Sequence, residues 1–375
     1  MLAAAPAFTA RRPRYGGTLV VEDGEAANSV DPSAAPANAA AGEVKTQVDS
    51  LIYDRRAADG TFSDPGPFRL AQWDPGKEAV LAANESYKGG RPFVDVVEIR
   101  MATSVQDRLA DLELGKTDVA EIPADQTRRA QERGIRISRS RPDELIALVF
   151  TAGGRPANDP RVREAIASSI DRAAIVTFIL QKEGEAAGGL LPQWSSGTAF
   201  LFSTAADPLH ARQLWSQIPS PGAVSLGYDS SDSQMEAIAE RIAVNARQAG
   251  ISMTLRGNPG GTNARVKADA QLVRLRMASA LSQPALAGFL NVLTPAAGLS
   301  ASETSLPDSA TAEQIFECEA AVVRSFSVVP IAWVPEVYGL SARVRDWDPP
   351  APGEPLPLAD VWLDEIDAPT KKGNL

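Results

Sequence analysis

The run Gly66-Pro67-Phe68-Arg69-Leu70-Ala71-Gln72-Trp73-Asp74-Pro75-Gly76-Lys77-Glu78-Ala79-Val80-Leu81-Ala82-Ala83-Asn84-Glu85-Ser86-Tyr87-Lys88-Gly89-Gly90-Arg91-Pro92-Phe93 decides how this chain is read. Phe68 to Trp73 predicts a strand. Asp74-Pro75-Gly76-Lys77 predicts a turn, because proline presets a negative φ and glycine accepts a positive one. Glu78 to Ala82 predicts a second strand, and Gly89-Gly90-Arg91-Pro92 a loop. Val94 to Arg100 then alternates apolar and polar residues as a further strand.

The pattern extends in both directions. Upstream, Tyr15 to Glu22 reads as a first strand, Ser29-Val30-Asp31-Pro32 as a turn, and Glu43 to Tyr53 as a helix with Val44, Val48, Leu51 and Ile52 on one face. Downstream, Ser104 to Leu114 is a helix closed by Gly115, a residue suited to the left-handed position after a helix end. A short strand follows at Asp118-Val119-Ala120, and Leu145 to Thr151 is an apolar one. Asp159 and Pro160 suit the cap and first turn of a helix that buries Val162, Ile166 and Ile170. Asp171-Arg172 opens another helix through Leu180. Ser216 to Gly222 reads as a linker. Beyond it come strand Val224 to Tyr228, helix Ser233 to Gly250 and strand Ile251 to Leu255. Strand Asp269 to Met277, helix Ala312 to Val323 and strand Val328 to Trp333 complete this part. Gly339 to Arg345 and Leu358 to Leu363 form a return.

The 375 residues carry 37 basic and 47 acidic side chains, for a net charge of −10. That balance argues against a phosphate-backbone binder, so no nucleic-acid partner is expected. A single cysteine, Cys318, rules out an intramolecular disulfide and a cysteine-cluster metal site. A single histidine, His210, leaves one candidate for a histidine base, and its place at a helix start predicts a surface residue. No metal site and no cofactor are expected. Gly153-Gly154-Arg155-Pro156 lacks the Lys and Ser/Thr of a phosphate loop. Gly227-Tyr228-Asp229-Ser230 does not make a nucleophile elbow, and no catalytic residue is expected.

The opening run resembles the G-P-(Y/F)-(K/R)-L … L-x-x-N-x-x-Y-x-G-(G)-x-P signature of the extracellular solute-binding proteins of family 5, the oligopeptide, dipeptide and nickel-type binding proteins of ABC importers. Three further segments are similar to that family: the opening Gly16-Gly17-Thr18-Leu19 with Ser29-Val30-Asp31-Pro32; Arg108 through Leu112 and Gly115 to Asp118-Val119; and Asp159 through Val162-Arg163 and Ala165-Ile166 to Ile170-Asp171-Arg172. The resemblance implies an α/β, two-lobed fold of the periplasmic-binding-protein type (type II) with a hinge, and no enzyme activity. The family's extra small domain is deleted, since only Arg55 to Pro65 join Tyr53-Asp54 to Gly66. Alternation of strands and helices places lobe I at residues 14–218 plus 338–375 and lobe II at 219–337. Residues 1–13 read as a signal remnant or flexible arm, and the expected location is periplasmic or otherwise extracytoplasmic.

The implied partners are a small-molecule or peptide solute, taken up in a cleft between lobes, and an ABC permease at the membrane. The protein is expected to be a monomer. A degenerate relative serving as an extracytoplasmic sensor or adaptor is the alternative. In peptide-binding relatives a W-x-x-D-like loop holds the peptide ammonium. Here that loop is Met277 to Pro284, with Met277 in the Trp place and Ala280 in the Asp place, so an ammonium anchor is not expected there. Met277 and Ser279 in this loop remain candidate ligand contacts. Arg265 and Arg274 lie near positions that some relatives use for ligand carboxylates, and a guanidinium can grip a carboxylate with two bonds; structural pairing is the other reading. Asn38, Trp194 and Tyr228 complete the candidates, each also readable as packing or loop.

Overall fold

A computed structural model describes residues 12–30, 39–56, 62–152, 158–197, 203–258, 267–307 and 309–364. The chain forms two compact units. The first comprises Met1–Ser138, Val337–Pro350 and Pro355–Leu375, the second Arg139–Glu336 and Ala351–Glu354.

The first unit opens with β1 (Thr18–Glu22), α1 (Ala39–Ile52) and a hairpin of β2 (Tyr53–Arg56) and β3 (Phe62–Pro65). This hairpin occupies the short join before the signature run. β4 (Phe68–Asp74) and β5 (Glu78–Ala83) form the next antiparallel pair, followed by β6 (Val96–Arg100). Then come α2 (Val105–Glu113), β7 (Val119–Glu121), α3 (Thr127–Glu132) and β8 (Arg136–Arg139).

The signature residues hold this part together. Gly66 donates its amide to the Ile52 carbonyl at 2.7 Å, and a Cβ there would sit 2.7 Å from backbone atoms of Leu51 and Ile52. Asn84, buried, donates to the Gly66 carbonyl at 2.9 Å, while Phe68 is wholly buried. Gly76, at φ +74°, closes the turn between β4 and β5. Arg91 bridges Glu85 at 2.7 Å and Asp95 at 2.5 Å, and lies over the ring of Tyr15, which stacks on Phe93.

The second unit contains β9 (Glu144–Phe150), α4 (Pro160–Ser169), α5 (Arg172–Ala174), β10 (Glu185–Ala186), α6 (Gln193–Ser196) and α7 (Pro208–Ser216). It continues with β11 (Val224–Asp229), α8 (Ser233–Gln248), β12 (Met253–Asn258) and β13 (Ala270–Arg276). α9 (Ser282–Ala297), α10 (Ala301–Thr304), α11 (Ala312–Arg324) and β14 (Val328–Val334) complete it. Its six-stranded sheet runs β10-β14-β9-β13-β11-β12. One face buries Ile146, Leu148, Leu226 and Leu272 against α4 and α8 residues such as Ile166 and Ile238. The other buries Leu145, Ala147 and Trp333 against α9 and α11 residues such as Phe289 and Val322.

The Asp-Arg ending of the α4 segment has a structural reason. Asp171 caps α5, accepting from the Ala174 amide at 2.9 Å. Arg172 is buried and donates to the Pro330 carbonyl of β14 at 2.8 Å, and burial pushes its guanidinium down to about 10.

The chain then returns to the first unit with β15 (Val337–Leu340), β16 (Val344–Arg345) and β17 (Trp362–Leu363). The seven-stranded sheet of that unit runs β4-β5-β6-β1-β7-β15-β8, with β6, β1 and β7 parallel. Asp118 pins the return. Its carboxylate accepts from the Val20 amide at 3.0 Å, Ser341 Oγ at 2.8 Å and Arg343 Nε and Nη2 at 2.6 Å each.

One boundary differs from the sequence expectation. Residues 139–218 belong to the second unit, so the first passage between units falls at Ser138/Arg139 rather than 218/219. The reason is strand order: β9 lies between β13 and β14, paired along its length with both. A strand with neighbours on both sides cannot belong to another sheet. The return, expected at 337/338, falls at Glu336/Val337. A further short excursion, Ala351–Glu354, packs on the second unit, where a Cβ on Gly353 would lie 2.1 Å from the Ala278 carbonyl oxygen.

Candidate functional site

Ligands of open α/β sheets gather at the carboxyl ends of parallel strands. In the second unit β11 is parallel to β12 and β13, so that edge carries Asp229, Asn258 and Arg276. β9 and β14 are antiparallel to their neighbours, and Glu144 stands opposite both Arg276 and Val334. The edge therefore collects Asp143 and Glu144 at the entry to β9 and Glu336 from just beyond β14.

Arg274 is the centre of a closed network at this edge. Its Nε donates to Asp232 at 2.9 Å, Nη1 to Glu144 at 2.6 Å and Nη2 to Gln234 at 2.5 Å. Burial opposes its charge, but the Glu144 and Asp232 carboxylates outweigh that and hold the guanidinium above its ordinary value. Asp232 is also the cap of α8, accepting from the Gln234 and Met235 amides. Structural pairing is thus the reading that fits Arg274, rather than a guanidinium open to a ligand carboxylate.

Beside it, Arg276 pairs with Glu336 at 2.9 Å. Asp143 is 2% exposed, and burial, then the Glu336 carboxylate, push its carboxyl up to about 7. The Met277 amide donates to the Asp143 carbonyl at 2.9 Å, and the Trp194 indole N–H to the Pro142 carbonyl at 2.8 Å. These two candidates therefore meet at neighbouring peptide groups.

Trp194 is half-buried, and the Arg141 guanidinium stands 5.6 Å from the centre of its ring. Met277 is 1% exposed and packs in the core with Leu286 and Phe289, which corrects its place among ligand contacts: a side chain enclosed on all sides offers nothing to a solute. Ser279 is half-buried, and its Oγ accepts from the Leu281 amide. The same loop is tied to α6, with Ser282 Oγ donating to the Ser195 carbonyl at 2.7 Å. Tyr228 is the next-to-last residue of β11, with its hydroxyl 3.2 Å from Glu236; desolvation, then that carboxylate, hold it above the ordinary tyrosine range. Asn38 and Arg265 lie outside the described residues.

His210 is held rather than free: its amide caps on Asp207 and its Nε2 lies 3.0 Å from Glu164. Cys318 is buried in α11. Among the described residues, no three His, Cys, Asp or Glu side chains gather as metal ligands. No helix among them is long and apolar enough to cross a membrane.

Sequence reasoning did not single out Asp143, Glu144, Asp232, Arg276 or Glu336. Asp232 carried a local signal, an Asp before a helical run, but its second bond, to Arg274, joins residues 42 positions apart. The pairing of Arg276 with Glu336 had no local signal.

In the first unit the parallel strands β6, β1 and β7 end at Arg100, Glu22 and Glu121. Glu22 is 2% exposed, and burial raises its carboxyl; Arg100 approaches it at 3.6 Å and binds Glu98 at 2.7 Å.

Two α/β units, each with polar groups at the carboxyl ends of the parallel strands of a mixed sheet, define a two-lobed binding-protein fold. The family model for bacterial extracellular solute-binding proteins, family 5 Middle, matches residues 25–295, and the chain belongs to that family. The probable D,D-dipeptide-binding periplasmic protein DdpA of Escherichia coli is 27% identical over 196 residues, covering 51% of this chain and 38% of that protein. The match thus spans well under two thirds of that relative's length. Among solved structures, the fold is similar to the ABC transporter substrate-binding protein CtaP of Listeria monocytogenes, with a TM-score of 0.74 at 13% identity over 94% of this chain and 100% of that one. It is also similar to the oligopeptide-binding protein AppA of Bacillus subtilis in complex with a nonapeptide, with a TM-score of 0.70, 13% identity and the same coverage.

Proposed function

We propose that this protein is the solute-binding component of an ABC importer, capturing a peptide or peptide-sized solute outside the cytoplasm and delivering it to a membrane permease. The observation that carries this reading is the family match across residues 25–295. The fold similarity to a nonapeptide-bound protein is in keeping with a peptide-sized solute. The protein works as a monomer and does no chemistry on its cargo. Neither Arg274, engaged by three partners, nor the buried Met277 supplies a terminal anchor, so recognition falls to other groups. Trp194 and Tyr228, both half-buried, and Ser279 remain the contacts proposed for the second unit.

Native mass spectrometry of the protein exported behind a supplied leader tests the reading. The expected result is a discrete co-purifying solute, lost on denaturing extraction and regained when a defined peptide mixture is added. A clean unliganded mass that no member of the mixture changes would overturn it.

A further inference from the structure

Two of the four places where the chain passes between its units, Ser138/Arg139 and Glu336/Val337, are bound to one polar cluster. The Ser140 amide donates to the Glu336 carbonyl at 3.0 Å, and the Glu336 amide donates to Ser140 Oγ at 2.9 Å. The Asp143 amide donates to the Val334 carbonyl at 3.1 Å, and its own carbonyl receives the Met277 amide. Two chain passages and the end of β13 are therefore laced together over a few residues.

Hydrogen counting shows what this cluster requires. Ser140 Oγ has one hydrogen and two lone pairs. It lies 2.7 Å from the Arg141 carbonyl and 3.2 Å from Asp143 Oδ1, both acceptors when Asp143 is ionised, and it already accepts from the Glu336 amide. The single hydrogen cannot serve both oxygens fully. With a proton on Asp143 the conflict disappears: the serine donates to Arg141, and its second lone pair accepts from the carboxyl. The charges agree with the counting. Asp143 is faced by Glu336 from the segment between β14 and β15, Arg276 from β13 and Glu144 on its own strand. Glu336 already pairs with Arg276, and Glu144 with Arg274.

We propose that Ser140, Asp143, Arg276 and Glu336 form a proton-operated latch at these two chain passages, tight when Asp143 holds a proton and loosened when that proton leaves. An ionised Asp143 adds a second buried carboxylate facing Glu336 and competes with the Arg141 carbonyl for the Ser140 hydrogen. Because burial and Glu336 hold Asp143 at about 7, the latch loosens as pH rises through neutrality. The segment that slackens is Arg141 to Asp143, and Trp194 is bonded to its middle residue, so the indole reports on it. The proposal stands apart from the solute reading, since every readout is taken on the full chain without solute.

The test is the Trp194 emission, taken as the difference between the protein and its Trp194→Phe variant, from about pH 5.5 to about pH 8.5. Hydrogen exchange of residues 139–143 and 334–338 is followed in parallel. The expected result is a single transition near pH 7, with red-shifted emission and faster exchange on the alkaline side, abolished in Asp143→Asn. Glu336→Gln moves the midpoint down, because it removes a like charge that raises Asp143. Ser140→Ala displaces it as well, because Ser140 Oγ bonds to Asp143 Oδ1. Should Asp143→Asn fail to fold, those two displacements still decide the matter. Glu319, the other carboxyl held near pH 7, accepts from the Leu191 amide three residues before Trp194, so Glu319→Gln is the control: the transition persists in it, and a transition that it abolishes would overturn the latch. A flat profile, a transition that survives Asp143→Asn, or a midpoint that neither the Glu336 nor the Ser140 variant moves would overturn the latch.

Discussion

Glu319 lies on α11 with 1% of its surface exposed, accepting the Leu191 amide at 2.9 Å. Burial lifts its carboxyl to about 7, against backbone donors that pull it down. The folded state therefore holds a proton that the unfolded chain releases near its ordinary value of 4.5. By linkage, stability falls as pH rises from the unfolded value to about 7 and is level above it. Glu319→Gln keeps the acceptor and removes the titration. Urea unfolding at a series of pH values should show a shallower decline for this variant, and a slope equal to that of the parent would reject the assignment. Arg274 teaches a different lesson at the same scale. Its position in the sequence suited a ligand carboxylate or a structural pair equally, and only the arrival of Glu144, Asp232 and Gln234 from two other elements selects between them.

At the scale of elements, the signature run is a joint. Gly66 is needed because α1 ends against it: its amide meets the Ile52 carbonyl and its Cα faces backbone at a distance no Cβ tolerates. Gly66→Ala should cost about 1–3 kcal/mol, the range for overpacking a close-fitted site, read as a lowered melting temperature. Gly90→Ala is the contrast. A Cβ there meets nothing, so its cost comes only from φ +101°. Equal fold stability for Gly66→Ala and the parent would show that the joint yields. Strand and helix starts were legible because their signals are local: Asp159 before Pro160, Asp171 before Arg172, and the turn at Gly76 all act within four residues. α9 was not read, although Ala285, Leu286, Phe289, Leu290 and Leu293 share its buried side. Pro284 and Pro295 mark turns in most contexts and mask a helix when they fall in its first and last turns.

At the scale of the whole molecule, each unit has its own apolar core, and the Asp118 cluster belongs wholly to the first. Asp118→Ala leaves Arg343 without its carboxylate and the Val20 amide without an acceptor. Removing one partner of a buried pair typically costs about 3–5 kcal/mol. Hydrogen exchange should quicken in β1, β7 and β15 while β9, β11 and β13 keep their protection. Uniform loss of protection across both sheets would show that the units unfold as one.

The sequence by itself determined the family, the order of most strands and helices, and the short join of residues 55–65, because these rest on residue types and spacings within about ten to fifteen positions. Only the tertiary structure decided that residues 139–218 belong with the second unit, that Arg274 is enclosed by its own chain, that Met277 is core, and that Asp143 meets Glu336 and Arg276. The physical reason is sheet order. β9 and β14 are neighbours although more than 170 positions separate their first residues, and their register places Glu144 opposite Val334, two residues before Glu336.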